Sequence, residues 1–285
     1  YANAKTYIDM VLNSGQYELE RDFKYVWSEN NKYGKEMIFA LLHETGNNAA
    51  EIACHFGPSD HPEVPGRWQY YGVSLPFWRS YDKEDPRREF FYYDYTGDAK
   101  RDDQSDYGFH YMVPEEGVTV VPNDTTKYMQ NVATMKYTYD MISDAYYDGR
   151  TICIFRLSDV ILCKAEIENN LNGPAAALPY LNQIRARAGA PEYGKHNRFP
   201  APSTKEAMND AILKERGYEL VFEFQRRADL IRFGKYEEVV NAHLKKLGIA
   251  QPTNVTSSLR YFPYPLNDAQ LNPNLAAENP SRLPK

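Results

Sequence analysis

Acidic and basic side chains crowd the stretch ERGYELVFEFQRRADLIRFGKY, which begins at Glu215. Glu215, Glu219 and Glu223 recur every four residues, so a helix would place them on one side, where Arg226 or Arg227 could pair with them. Carboxylates grouped in this way could act as acids and bases, but a catalytic acid must be kept neutral by apolar or like-charged surroundings. Arginines are as numerous here as the acids and would keep every carboxylate ionised. The members of the structural salt-bridge network that we predict instead are Glu215, Glu219, Arg227 and Asp229.

Aromatic side chains are the second group that could do chemistry. The chain has 13 Phe, 24 Tyr and 3 Trp, and fourteen of these aromatic residues lie within residues 67–111. A pyranose has an apolar C–H face that can stack on an aromatic ring, and Tyr and Trp add a polar group to such a ring at a low ordering cost. Pro65-Gly66 and Pro76 interrupt any regular element that could bury every ring. The predicted sugar-stacking platform consists of Trp68, Tyr70, Tyr71, Trp78, Arg79 and Tyr81. Arg79 would donate hydrogen bonds to sugar hydroxyls.

The same rings could instead form the core of a loop-rich region, because long loops need packing of their own. The run FFYYDY from Phe90 favours this interpretation, since its composition is typical of a buried strand. For the stretch from Trp68 to Tyr81 both interpretations stay open.

Several classes of function are disfavoured by composition and motifs. The net charge is −6 and the pI about 5.6, which argues against a nucleic-acid partner. Cys54, Cys153 and Cys163 have no metal-ligand spacing, and Cys54 is too close in sequence to His55 for a nucleophile–base pair. The motifs GxSxG, GxxxxGK[ST], GxGxxG and HExxH are absent, so we expect no enzyme activity, no cofactor and no metal.

The elements that would position these groups are mainly helical. Apolar residues at helical spacing, with Gly and Pro at the ends, predict two adjacent helices of the size of one tetratricopeptide-type repeat. The predicted helices are residues 1–13, a segment beginning near Tyr33 with GKEMIFALLHE, and residues 157–171, 174–189, 204–224 and 235–247. Residues 45–149 are rich in Pro, Gly, Asp and Asn, which predicts long loops with short strands, including a solvated acidic loop from Asp94. Residues 260–285 contain five prolines, which predicts an extended tail.

Four separated motifs resemble those of the SusD/RagB family of surface nutrient-binding lipoproteins. The opening stretch resembles the family signature ExxxELxxExxRxxDLxR, and the segment from Arg156 to Pro191 resembles RLAEvyLxyAEaxn…AlxxiNxvRxRAG. NPNLAAENP resembles the closing NPNLxQNPGY, although Glu278 and Ser281 depart from it. The remaining positions that fit the family are Asp85, Arg87, Lys136 and Tyr137.

This resemblance implies a mainly α fold, a SusD-like scaffold of tetratricopeptide-like helical repeats with a long loop-rich ligand-binding excursion. We expect one such region over residues 1–285. Its predicted parts are a helical scaffold (1–14 and 150–250), a ligand face (15–149) and a C-terminal tail (251–285). The resemblance also implies the outer membrane at the cell surface as location, with membrane contact only through an N-terminal lipid anchor absent from this chain.

The function implied by the resemblance is binding of a glycan and its delivery to a SusC-like TonB-dependent outer-membrane transporter. A peptide or another nutrient is the alternative ligand within the family. From other classes of protein, a helical-repeat adaptor that binds another protein and a hydrolase of unrecognised type stay open.

Overall fold

The computed structural model describes residues 1–44, 51–64, 67–97, 109–117, 126–140, 149–246 and 255–278. Contacts divide the chain into two compact units, residues 1–224 and residues 225–285. Most of the acidic loop predicted from Asp94 lies outside the described residues. The predicted division into a scaffold, a ligand face and a tail stays a prediction.

Helices dominate, and the strands are short. The helices are α1 (Ala2–Leu12), α2 (Ile52–Phe56), α3 (Leu75–Trp78), α4 (Leu157–Asn172), α5 (Pro174–Ala188), α6 (Lys205–Glu219), α7 (Arg226–Arg232), α8 (Tyr236–Lys246), α9 (Leu266–Leu271) and α10 (Pro273–Glu278). The strands are β1 (Met37–Leu41), β2 (Val73–Ser74), β3 (Phe91–Tyr92), β4 (Asp94–Thr96), β5 (His110–Met112), β6 (Thr126–Tyr128), β7 (Asn131–Thr134) and β8 (Ile152–Arg156).

The first unit is built on α4, α5 and α6, which pack against one another, with α1 against α4. Gly173 ends α4 at a φ of 91°, which an L side chain rarely adopts, and Pro174 supplies the pre-set φ of the first turn of α5. Because one residue joins them, α4 and α5 run antiparallel. α6 begins after Thr204, whose side chain accepts a hydrogen bond from Ala207 N at 3.1 Å. The core between these helices is apolar and fully buried, and consists of Ile161, Leu162, Ala165, Leu181, Ile184, Met208 and Ile212.

The helix predicted from Tyr33 was wrong, because residues 37–41 form β1. β1 pairs antiparallel with β8, with Met37 opposite Arg156 and Leu41 opposite Ile152. A short apolar run such as MIFAL is compatible with either a helix or a strand, and periodicity alone does not separate them. The β-forming partner ICIFR, 115 residues further along, decides in favour of a strand.

The described residues of the loop-rich region form two small three-stranded sheets, with strand orders β2-β7-β3 and β4-β5-β6. Its core is aromatic, and Phe90 and Phe91 are buried, so the interpretation of FFYYDY as strand and core is confirmed. The apolar cluster around β2, β3 and β7 consists of Val73, Leu75, Trp78, Tyr81, Phe91, Tyr95, Met129, Val132 and Tyr218.

The second unit contains α7 to α10. The predicted helix over residues 235–247 is confirmed as α8. The tail from Arg260 is less extended than predicted, since α9 and α10 lie in it and Pro273 begins α10, where a proline is tolerated. In the part of the chain that the structure describes, no helix has both the length and the apolar character needed to cross a membrane.

Candidate functional site

The charged stretch at the end of α6 contributes carboxylates to a buried ion network centred on Arg156. Arg156 is fully buried at the end of β8, and its Nε donates to Glu223 Oε2 at 2.7 Å. Its Nη1 donates to Glu219 Oε1 at 2.7 Å and to Glu36 Oε1 at 2.6 Å. Its Nη2 donates to the carbonyl of Glu219 and to Glu223 Oε1. One guanidinium group therefore holds three carboxylates from two parts of the chain, Glu36 and the charged stretch at the end of α6.

Further cations complete the network. Arg87, also buried, pairs with Asp85, Glu215 and Glu219 at 2.8, 2.7 and 2.9 Å. Arg187 joins Glu36 at 2.7 Å and also contacts Glu219. The remaining pairs are Arg185 with Glu215 at 2.7 Å and Lys136 with Glu223 at 2.6 Å.

The electrostatics of the network keep its acids charged. Burial raises the pKa of Glu219, but Arg187, Arg156 and Arg87 outweigh it and hold that pKa well below its usual range. The pKa of Glu223 is likewise lowered, because Arg156 and Lys136 outweigh burial. A carboxylate in this state cannot serve as a general acid near neutral pH. The prediction that Glu215 and Glu219 belong to a structural network is therefore supported.

Two predicted members of the network, Arg227 and Asp229, have partners within the second unit. Arg227 Nη2 donates to the carbonyls of Leu259 and Arg260 at 2.9 Å, and Asp229 pairs with Arg232 at 3.0 Å. The prediction that these two residues belong to the network of α6 stays a prediction. Helical spacing finds only partners on the same helix, whereas the real cations come from residues distant in sequence.

Acidification should destabilise the first unit from about pH 4.5 downwards, the usual pKa of a glutamate. The folded-state pKa values of Glu219 and Glu223 are depressed, so the stability they contribute is present above the usual pKa and is lost as the pH falls below it. Burial lowers the pKa of Lys136 to about 8, so this lysine is protonated in the folded and unfolded states throughout the acidic range. It therefore does not change the pH dependence of the unfolding free energy there. Urea unfolding at several pH values between about 7 and 3 measures the effect. Glu219→Gln is the control, since it should be less stable than the wild type at neutral pH but lose less stability on acidification. Equal free energies of unfolding of the wild type at about pH 7 and pH 3 would contradict the assignment.

A separate group of rings lies at the surface beside α2, where backbone hydrogen bonds fix residues 68–71. Trp68 N donates to the carbonyl of Cys54 at 2.8 Å, and Tyr71 N donates to the carbonyl of His55 at 3.1 Å. Between them, Gln69 adopts a φ of 48° and its side chain bonds Ser59 N at 3.2 Å and Asn131 Oδ1 at 3.1 Å. The segment is therefore held at both ends and in the middle.

We call His55, Trp68, Tyr70 and Tyr71 the ring platform. The His55 ring lies 5.2, 5.4 and 6.3 Å from the rings of Trp68, Tyr70 and Tyr71, and the Trp68 and Tyr70 rings are 5.2 Å apart. Tyr70 is 66% and Tyr71 56% exposed, while Trp68 and His55 are half-buried. His55 also lies 3.6 Å from Glu51, a carboxylate that would pair with the protonated imidazole. The platform thus presents rings with hydroxyl, indole and imidazole groups on a fixed backbone.

The other three residues predicted for the platform have different surroundings. Trp78 is 5% and Tyr81 3% exposed, so neither offers a ring face to a ligand. Trp78 Nε1 donates to the carbonyl of Arg88, and Tyr81 stacks on Tyr218 with the ring centroids 4.2 Å apart. Arg79 donates to the carbonyl of Pro114. The prediction was wrong for Trp78 and Tyr81, because Pro76 does not interrupt a regular element but lies in the first turn of α3, and both rings are buried. For Arg79 it stays a prediction.

A cleft of about 540 Å³ lies next to β3 and β4. His61, whose ring is 4.8 Å from those of Tyr92 and Tyr95, lines one part of it, and burial lowers the pKa of His61. The cleft combines rings with acids and is polar. The acids that line it are Glu63, Glu89, Asp94 and Asp140. Among the described residues, no group of His, Cys, Asp and Glu could hold a metal ion.

Comparison with known families decides the identity of the fold. The model described as the SusD family matches residues 35–281, most of the chain. The chain belongs to the SusD family. The sequence resemblance to SusD/RagB proteins is thereby confirmed.

Individual relatives of this SusD-family chain are known. SusD-like protein P25 of Formosa agariphila is 39% identical over 120 residues, which are 42% of this chain and 22% of that protein. The starch-binding protein SusD of Bacteroides thetaiotaomicron is 28% identical over 137 residues, 47% of this chain and 22% of that protein. Surface glycan-binding protein A of Bacteroides thetaiotaomicron, solved in complex with laminarihexaose, is 22% identical with a TM-score of 0.66 over 93% of this chain and 56% of that one. This chain therefore matches little more than half of the solved protein and about a fifth of the two curated relatives.

The structural likeness confirms the predicted SusD fold, mainly α with tetratricopeptide-like helices and a loop-rich excursion. Of the predicted platform, the structure brings Trp68, Tyr70 and Tyr71 together and adds His55, which sequence reasoning missed as a ring. A sequence signal for His55 was its position in the short run IACHF, which is apolar apart from the histidine.

Proposed function

We propose that this SusD-family chain binds a glycan outside the cell and passes it, uncleaved, to a SusC-like TonB-dependent outer-membrane transporter. The observation that carries the proposal is the ring platform, in which Tyr70 and Tyr71 are exposed beside Trp68 and His55. The family resemblance further implies that an N-terminal lipid anchor holds such a protein at the cell surface.

The geometry of the platform suits a sugar. The Trp68 and Tyr70 rings are 5.2 Å apart and tilted by 35° to each other, and a pyranose chain can stack along neighbouring rings of this kind. Two tyrosine hydroxyls and the imidazole can exchange hydrogen bonds with the hydroxyl rim of the sugar. Since the backbone of residues 68–71 is already fixed by hydrogen bonds, binding costs little ordering of the protein. The relatives include a starch-binding protein and a protein solved with laminarihexaose, which supports a glycan as the ligand class.

The chemistry of the chain favours binding over hydrolysis. Glycoside hydrolysis uses two carboxyl groups on either side of the scissile bond, one of them protonated. The carboxylates of the ion network are buried and held in the ionised state by arginines. The polar groups of the platform rings are hydroxyls, an indole and an imidazole, which bind sugars without breaking them. Glu51, 3.6 Å from His55, would pair with the protonated imidazole.

A panel of glycans on native affinity gels tests the ligand class. Starch-type and laminarin-type glucans embedded in the gel should retard the protein, whereas peptides of mixed sequence measured by calorimetry should not bind. Binding of peptides with no retardation by any glycan would favour the peptide-binding alternative within the family. Binding of neither class would favour a protein-interaction adaptor and overturn the proposal.

The bound glycan should stay intact. After prolonged incubation with the protein, the chain length of the retained oligosaccharide, measured by chromatography, should equal that of a sample without protein. Bovine albumin at the same concentration controls for spontaneous breakdown. New reducing ends that vanish on substitution of one carboxylate would establish a hydrolase instead.

A further inference from the structure

The turn that follows α6 has an unusual backbone. Phe222 and Phe224 have φ values of 61° and 64°, in the left-handed region that glycine adopts freely and that is costly for a bulky side chain. Between them, Glu223 is buried and bound to Arg156 and Lys136. Such a conformation persists only where its surroundings impose it, and the ion network does so by holding Glu223 inside.

The two phenylalanines have different surroundings. The Phe222 ring lies 5.0 Å from that of Phe56, and the Phe222 carbonyl accepts a hydrogen bond from Tyr137 at 2.7 Å. Phe222 is therefore part of the packing. Phe224, by contrast, is 64% exposed. Neither backbone preference nor burial explains a phenylalanine there, since a glycine would fit the φ at no steric cost.

Phe224 lies next to the ring platform. Its ring centroid is 6.4 Å from that of Phe56, and the Phe56 ring lies 5.2 Å from that of Tyr71. These separations are those of aromatic rings in contact. The buried Phe56 ring thus connects two exposed rings, Tyr71 and Phe224, and the exposed aromatic surface extends from Tyr70 to Phe224.

We propose that Phe224 is a further binding residue for the same glycan, which makes the site select oligosaccharides over short sugars. This inference rests on the proposed function. A short sugar on Trp68 and Tyr70 leaves Phe224 uncovered, whereas a longer chain continues past Tyr71 onto it. The strained turn holds the ring outward, so that the chain meets a ring already in place.

Three variants at this position test the inference. Phe224→Ala removes the ring and Phe224→Gly removes both the ring and the strain, whereas Phe224→Tyr keeps a ring that can stack. The probes are maltose with maltohexaose and laminaribiose with laminarihexaose, measured by calorimetry. For the hexasaccharide that the wild type binds, the Ala and Gly variants should lose about 5- to 10-fold in affinity, the lower end for one base stacked on an aromatic ring, and Tyr should stay within about twofold. The disaccharide should be bound equally by all three.

The melting temperature separates binding from packing. Phe224→Gly should melt at the wild-type temperature or above it, since it relieves strain and removes an exposed ring. The inference would be overturned if the Ala and Gly variants bound the hexasaccharide as tightly as the wild type does. It would also be overturned if they lost affinity equally for short and long sugars. The proposed function is tested separately, by Tyr70→Ala. A clear drop in melting temperature for Phe224→Gly would show that the ring is packing. Failure of the wild type to bind any of the four sugars would overturn the role of Phe224 together with a glucan as ligand.

Discussion

Replacing Arg156 by alanine lowers the free energy of unfolding by about 3–5 kcal/mol or abolishes folding, the largest effect on stability that we expect. Arg156 is the shared partner of Glu36, Glu219 and Glu223 at 2.6–2.7 Å. Its loss leaves buried carboxylates with fewer cations, and a buried charge without sufficient pairing is far more costly than the same charge in water. Urea unfolding followed by far-UV circular dichroism measures the change.

A surface arginine is the matched control. Arg198 pairs with Asp82 at 2.9 Å and with Glu84 at 2.7 Å, but it is 47% exposed. Because water screens such a pair, Arg198→Ala should change the free energy of unfolding by less than about 1 kcal/mol. Similar losses for the two variants would show that burial does not set the energetics of the network. A stable Arg156→Ala protein with impaired glycan binding would show that Arg156 serves ligand binding rather than stability.

Replacing Tyr70 by alanine should weaken glycan binding roughly 5- to 150-fold, by analogy with the loss of one base–aromatic stack. Trp68→Ala should weaken it within the same range, since both rings belong to the ring platform. Tyr70 is exposed, so its removal deletes little packing and the protein should melt as the wild type does. Affinity gels or calorimetry give the binding change, and a melting curve gives the stability.

An exposed tyrosine away from the platform tests the specificity of this effect. Tyr33 is 74% exposed, close to the exposure of Tyr70, and Tyr33→Ala should leave both affinity and melting unchanged. If Tyr33→Ala weakened binding as much as Tyr70→Ala, general loss of surface rings would explain the result. If neither Tyr70→Ala nor Trp68→Ala changed affinity, the glycan would bind elsewhere, with the cleft beside β3 and β4 as the next place to test.

The helical part of the fold was predictable because its signals are local. Gly173, Pro174 and Gly189 mark helix ends whatever the rest of the chain does, and the apolar spacing of α4 and α5 fixes their buried sides. Strand β1 was not predictable from its own residues, since its partner β8 lies more than a hundred residues away.

The platform was half predictable for a similar reason. Composition located the rings, but whether a ring lies inside or outside depends on contacts between distant segments. Tyr81, for example, is buried because Tyr218 stacks on it, and Tyr71 stays exposed at the end of a segment anchored to α2. The pairing of Arg156 with Glu36 and Glu219 had the same origin, because no local spacing predicts which cation reaches which acid.

The ion network also has a kinetic consequence. Arg156 and Glu36 are 120 residues apart in sequence, and Arg187 and Glu36 are 151 residues apart. Such contacts form only after long stretches of chain have been closed into loops, so they are made late and slow the folding of a chain. During unfolding, neither partner of such a pair can leave the interior without leaving the charge of the other partner buried and unpaired. The helices and the loop-rich region of the first unit should therefore come apart together rather than one after the other.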